Sequence, residues 1–505
     1  MGAADATSGD ASGAPAARAV QALRSYWQRG SGAAVAGVFH KLLALVFLDA
    51  WISLGVQVHV LVGSRGLLPL AAFLQAARVE GSPTFGDFPT LFWLGASDGT
   101  LTAGVLLGGA LALAALAGAR PRLCLGLSTT LYLSFTVACR TFFSFQWDNL
   151  LLECGLLVLF LPADRRAPWA HWLFRVLLFK LYFESGIAKW QSHLGDWQDG
   201  SAMTFYYETA PLPTWLGWYL HALPAWWHHF ESWATLVMEL AVPFAFFGPR
   251  PARLAAAAVL TGFQTVNLAS ANYGFFVHLA LALHVFLLDD RDVARAAALV
   301  RAWAAATRAR LARRWPALSG GAPSPSDGAP PPGGAPSRAG VAPTSGGAPS
   351  RAGVAPINGG APSRAGVAAL PHGAPSGARA PAVTPRSAAA DTELRRLRAV
   401  GAALFAAAYL FVSALEAWRA FGPRPTDIDV ASGEPFEWLQ EIYEPWRLVN
   451  TYHLFGHITT ERIEPAFETF DGRDWTEHAL RHKPADTARA PDFVAPHQPR
   501  VDFQL

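Results

Sequence analysis

The sequence predicts an all-α polytopic membrane helix bundle of about nine spans, with a small, mostly β C-terminal domain on the lumenal or periplasmic side. Three observations predict it. Hydrophobic residues make up 52% of the 505-residue chain and charged ones only 15%, with a mean hydropathy of +0.23, which is too apolar for an ordinary soluble domain. Apolar windows recur along the chain, most of them near the roughly 20 residues that cross a hydrocarbon core. After the last window the chain turns polar, in short stretches separated by Gly, Pro and Asp.

Residues 1–32 are rich in Ala, Gly and Ser and lack the basic, apolar and small-residue progression of a signal peptide, so they read as a disordered tail. Apolar windows follow at 33–62, 101–118, 124–143, 149–162, 171–190, 232–248, 254–270, 273–288 and 399–416, those at 149–162 and 273–288 being short. A basic helix is expected over 291–317. Residues 318–390 are Gly, Ala, Pro and Ser with near repeats of GGAPSRAGVAP, a composition that builds no core and reads as a disordered linker. The span at 391–418 leads into a C-terminal domain over 419–505. There the alternation in AFETF, Asp471-Gly472 and DWTEHALRH predict a hairpin.

Arginines orient the bundle. Arg120 and Arg122, Arg165 and Arg166, Arg250 and Arg253, and the 291–314 stretch fall on one side, which the positive-inside tendency makes cytoplasmic together with the N-terminus. The C-terminus then faces the periplasm or lumen. The arginine-rich, lysine-poor composition points to a bacterial inner membrane, or to the endoplasmic reticulum membrane in a eukaryotic host. A net charge of +3, with the basic residues beside apolar spans, argues against nucleic acid as a partner and leaves membrane lipids as the first one. Cys124, Cys139 and Cys154 sit in apolar windows and read as small hydrophobes.

Only four lysines stand against 36 arginines, and Lys41, Lys180 and Lys189 lie in or at the end of apolar segments, where a charge must snorkel or be paired. Glu184 follows Lys180 by four residues, so the two share a helix face. Lys189, beside Trp190, reads as a snorkelling anchor, as half of a structural pair, or as a base with Glu184, Glu208 or His228 as partners. Asp49, Gln57 and His59 break the first window as interfacial anchors or site residues. Asp148 and Glu153 are five apart and need not share a face, and Glu153, inside an apolar run, requires a cation or donor. His228 and His229 are adjacent and point apart, so they form no metal pair, while Glu231 and Glu239 fall on roughly one face. Trp215 to Trp233 form an aromatic interfacial platform. No phosphate loop, dinucleotide fingerprint, nucleophile elbow or zinc signature is present, so no cofactor and no metal is expected.

The blocks GSRGLLP, SGIAKW, DWQDGSAMTFYYETAPLP, YLHALPAWWHHFE, MELAVPF, NYGFF, EPWRLVNTYHLFGHITTERIE and HKPADTARAPDFVAPHQPR resemble the lipase maturation factor family. The resemblance implies a polytopic membrane protein that helps homodimeric lipases fold and assemble, with its C-terminal domain lumenal. Exported lipases or other folding clients are then the expected partners, gripped by 446–462 and 484–500, with Trp446, His457 and Pro496 as the marked residues. The family's C-terminal region continues past DFQ, so this one reads as truncated. The run YFESGIAKWQSHLGDWQDGSAM is also similar, more distantly, to the membrane core of vitamin K-dependent carboxylases and their relatives. That likeness puts Lys189 at the position of a base and implies an alternative, a membrane-embedded enzyme acting on a lipid or quinone-like substrate. A transporter is disfavoured because no matched pair of Gly/Pro-broken spans occurs.

Overall fold

A computed structural model describes residues 32–79, 85–314, 385–422, 436–484 and 489–504. The tail expected over 1–32, apart from Gly32, and most of the 318–390 linker lie outside the described residues. The helices are α1 (Ala33–Gly55), α2 (Val58–Val62), α3 (Leu70–Val79), α4 (Asp98–Leu116), α5 (Pro121–Ala138), α6 (Gln146–Val158), α7 (Pro168–Trp190), α8 (Ala202–Thr209), α9 (Trp215–His221), α10 (Ala225–Leu240), α11 (Arg250–Ser270), α12 (Phe276–Leu283), α13 (Asp290–Arg314) and α14 (Pro385–Phe421). After them come α15 (Glu437–Tyr443), strands β1 (Phe467–Phe470) and β2 (Trp475–His478), and α16 (Arg500–Gln504). The described residues within 1–301 and 400–505 form one compact unit and those within 302–399 another. The described part of the second is the end of α13 and the start of α14.

Local chemistry sets the helix starts. Ser97 and Thr214 cap α4 and α9 by accepting from the amides of Thr100 and Gly217. Pro121 and Pro168 open α5 and α7, where a missing N–H costs nothing. The first turn of α1 has no side-chain cap of its own, and its Val35 amide donates to Asp290 Oδ1 at 3.1 Å, so a carboxylate from the start of α13 completes it. Close approach packs α1 against α4, since a Cβ on Gly108 would lie 2.2 Å from the Trp51 indole. Trp51 in turn donates to Ser128 Oγ of α5 at 2.9 Å. Phe174 and Phe286 stack in the core with centroids 4.3 Å apart, and Phe39 meets both edge-on at 4.7 Å.

The expected nine spans are not found. Among the described residues four helices are long and apolar enough to cross a membrane: Ala33–Gly55, Asp98–Leu116, Ala225–Phe247 and Thr392–Phe421. The remaining apolar windows fail on length or on polarity. At 1.5 Å per residue the 13 residues of α6 span only about 20 Å, and α12 has eight residues. The 23-residue α7 is long enough but carries Arg175, Lys180, Glu184 and Lys189, all buried. α6, α7 and α12 are apolar because most of their side chains are core, and a hydropathy window does not separate a helix buried in protein from one facing lipid.

The mostly β domain is also overturned. Among the described C-terminal residues only the hairpin is β, antiparallel with Phe467 opposite His478 and Phe470 opposite Trp475, which is where the sequence placed it. The amides elsewhere in this region do not pair in a ladder. Asn450, Tyr452, Leu454 and Ile458 donate to Glu153, Glu184, Ser185 and Asp196. Gln498 and Arg500 donate to Ser53 and Gln57. Side chains of the helical bundle thus satisfy backbone that a sheet would otherwise have to satisfy.

Candidate functional site: a buried ionic seam and the Lys189 chamber

Three buried polar nodes join the helices to the C-terminal segment. The first centres on Glu153 of α6, which is fully buried. Its Oε1 accepts from Lys180 Nζ at 3.0 Å and from the Tyr409 hydroxyl at 2.6 Å. Its Oε2 accepts from the Tyr452 hydroxyl at 2.7 Å and from the amide and Nδ2 of Asn450 at 3.2 Å. Lys180 also donates to Ser413 Oγ at 3.3 Å. A charge removed from water needs this density of partners, and here α7, α14 and residues 450–452 supply them to the carboxylate on α6. Lys180 thus pairs with Glu153, while Glu184 turns its Oε2 to the Tyr452 amide at 2.9 Å.

The second node is Arg500 on Asp148, exposed by 1% and 0%. Two parallel bonds of 2.8 Å join the guanidinium to the carboxylate, the fork geometry that suits arginine. Arg500 also donates to the Phe142 carbonyl at 2.8 Å and to the Tyr132 hydroxyl at 3.1 Å, and lies 3.5 Å over the Phe143 ring. Beside it, Ser53 Oγ lies 3.0 Å from His497 Nδ1, and burial holds the His497 imidazole below its usual pKa. Asn272 secures the preceding stretch, accepting from the amides of Val494 and Ala495 at 2.7 and 2.9 Å and donating to the Asp492 carbonyl at 2.9 Å.

The third node is a chamber of about 270 Å³. Lys189, exposed by only 2%, stands in its wall with Nζ 2.7 Å from Glu239 Oε2 of α10, donates to the Leu454 carbonyl at 2.6 Å, and lies 5.2 Å from the Trp197 ring centre. A snorkelling Lys189 is therefore excluded; it is paired inside the protein. Leu181, Met203, Met238, Phe263 and Phe276 supply apolar wall. Tyr206, whose hydroxyl bonds that of Tyr273, and Gln264 supply polar wall. Burial pushes the Tyr206 hydroxyl up to about 12, so it remains a neutral donor and acceptor at physiological pH. Phe230 of α10 and Val266 of α11 both line the chamber and are 56% and 49% exposed, which marks its mouth between those two helices.

Of the residues singled out as catalytic, only Lys189 lines the chamber. Glu184 belongs with Tyr452, Glu208 is exposed near His221, and His228 is buried between Glu231 and the His221 carbonyl. Trp446 packs edge-on to Phe85, His457 is exposed beside His193, and Pro496 is exposed on the docked C-terminal segment. Sequence reasoning missed Glu239 as the partner of Lys189, and missed Tyr409, Tyr452, Asn272 and Arg500 altogether. A fully buried arginine among polar residues leaves no local signal. Tyr409 in the last apolar window was the one hint available.

Residues 34–295 match the family model of the lipase maturation factor transmembrane domain, and residues 448–505 that of the lipase maturation factor C-terminal domain. The chain is 31% identical to lipase maturation factor 2 of Gallus gallus over 516 residues, covering 92% of this chain and 68% of that protein. It is 30% identical to lipase maturation factor 2 of Mus musculus (93% and 71% covered) and 26% identical to lipase maturation factor 1 of Bos taurus (93% and 74% covered). No solved structure matches.

Proposed function

The chain belongs to the lipase maturation factor family, and on that premise we propose that it is a multi-pass membrane protein assisting the folding or assembly of exported proteins of the lipase class. The observation that carries the reading is the seam. The segment matching the family's C-terminal domain is held to the helices matching its transmembrane domain by buried ionic contacts at Glu153 and Asp148. A rigid platform of this kind, with Trp446, His457 and Pro496 on its C-terminal part, can hold a client beside the membrane. The orientation we propose has the N-terminus cytoplasmic and the C-terminus periplasmic or lumenal. It is supported by Ser53 and Gln57, which hold Gln498 and Arg500 at the end of α1 opposite Gly32.

Co-expression with a secreted homodimeric lipase tests the function. Lipase activity per milligram and the dimer fraction should rise with the intact chain, and photo-crosslinkers at positions 446 and 457 should capture the lipase. Unchanged specific activity together with crosslinks to lipid alone would sink the proposal.

A second reading, a membrane-embedded enzyme using Lys189 as base, is favoured by one observation: the amine is buried in a chamber that opens between two helices. Lys189→Arg keeps the charge and cannot deprotonate at working pH. Loss of function in Lys189→Arg with normal insertion and stability supports proton transfer, and full function in that variant rules it out.

A further inference from the structure

We infer that the Lys189 chamber binds a neutral, hydroxyl-bearing, single-chain lipid of the monoacylglycerol kind, admitted from the bilayer between α10 and α11. This names a ligand class for the chamber on which the second reading rests, but it concerns binding alone.

The polar groups of the chamber select the headgroup. Lys189 and Glu239 neutralise each other at 2.7 Å, so a charged head entering the chamber meets no net counter-charge to offset the hydration it loses. Lys189 Nζ donates to the Leu454 carbonyl and is ion-paired with Glu239, whose buried Oε2 accepts no hydrogen bond. Gln264, exposed by 2%, donates its amide to the Tyr182 hydroxyl at 3.0 Å, while its Oε1 is buried with no partner. A buried acceptor left unmade is costly, so this oxygen is the strongest pointer to a missing donor. A hydroxyl can donate to an unpartnered acceptor of the chamber, Gln264 Oε1 or Glu239 Oε2, and can accept as well; an ionised carboxylate has no donor and a quaternary ammonium has neither.

The walls and the mouth select the rest of the molecule. The volume of about 270 Å³ falls just below the ~300 Å³ at which ordinary small-molecule pockets begin, which suits one chain and a small head better than a two-chain phospholipid. The mouth residue Phe230 lies within Ala225–Phe247, a helix long and apolar enough to cross a membrane, which suits entry of an acyl tail from the bilayer side.

The test is photolabelling of the full chain in membranes with a monoacylglycerol carrying a diazirine in its acyl chain. The label should map to α10 and α11 and be competed by unlabelled monoacylglycerol, but not by the fatty acid or lysophosphatidylcholine of equal chain length. Ala234→Trp, which fills the chamber, should abolish labelling, whereas Val237→Trp on the 57% exposed face of the same helix should leave it unchanged. Gln264→Leu should weaken competition about fivefold, the loss of one hydrogen bond. Equal labelling of a folded Ala234→Trp, or competition by the fatty acid as strong as by the neutral lipid, overturns the inference. Should Ala234→Trp not fold, unaltered competition in Gln264→Leu overturns it. Neither client nor turnover enters the measurement, so its failure leaves both functional readings standing and their failure leaves it intact.

Discussion

Replacing Arg500 by methionine keeps most of the side-chain volume and removes the charge, which isolates the part of the seam that holds the C-terminus. In the wild type Asp148 is fully buried and receives two guanidinium bonds of 2.8 Å and one from the Tyr132 hydroxyl at 2.6 Å. In Arg500→Met only the hydroxyl remains, and the Phe142 carbonyl loses its donor as well. Removing one partner of a buried pair costs about 3–5 kcal/mol, whereas replacing both by apolar groups is often neutral. The weakest way out is undocking of the terminal segment, since Gln498 and Arg500 are its main ties to α1. We therefore expect Arg500→Met and Asp148→Leu each to expose residues 489–504 to proteolysis and hydrogen exchange, and Asp148→Leu/Arg500→Met to recover much of the loss. Limited proteolysis and melting temperature in detergent read this directly. Unchanged protection in Arg500→Met, or a double variant as unstable as the sum of the singles, would refute the reasoning.

Glu153→Leu should destabilise by a similar 3–5 kcal/mol, because it leaves Lys180 buried and strips Tyr409, Tyr452 and Asn450 of their acceptor; the check is expression level and thermal unfolding. Two glycines give opposite signs: Gly108→Ala should cost about 1–3 kcal/mol through the Trp51 clash, while Gly262→Ala, with open space around its Cβ position, should gain up to about 1 kcal/mol. The depressed pKa of His497 means that the folded chain prefers the neutral ring. Its stabilising contribution is fully present above the unfolded value near 6.5 and is lost as pH falls through the folded value. Proteolysis of the terminal segment should accordingly rise below about pH 6.5, and His497→Gln should flatten that dependence; an unchanged slope in the variant would assign it to another group.

What could be read along the chain was whatever depends on neighbours in sequence. The turn at Asp471-Gly472 and the alternation beside it were enough to place the hairpin, because register in a short hairpin is set by its own turn. The helices, the apolar character and the need of Glu153 for a cation were legible for the same reason. The choice of cation was not. Helical spacing put Glu184 with Lys180, and the i,i+4 rule states only that two side chains can meet. In the structure Lys180 goes to Glu153, 27 positions away, and Asp148 goes to Arg500, 352 positions away. Lys189 shows the same division. Its rarity and its place at the end of an apolar helix marked it as a residue needing an explanation, and the burial against Glu239 and Leu454 supplied one.

The sequence by itself determined that this is a membrane protein of the lipase maturation factor family, with charged groups embedded in apolar helices and a hairpin near its end. Only the tertiary structure decided that, among the described residues, four helices rather than nine have the length and apolar composition of spans, and that the described C-terminal region is chiefly docked backbone rather than sheet. It also decided which cation answers which carboxylate. The physical reason is common to all three. Hydropathy measures the preference of a residue to leave water, and a protein core and a lipid tail satisfy that preference equally; which one does, and with which partner, is settled by packing over long sequence distances.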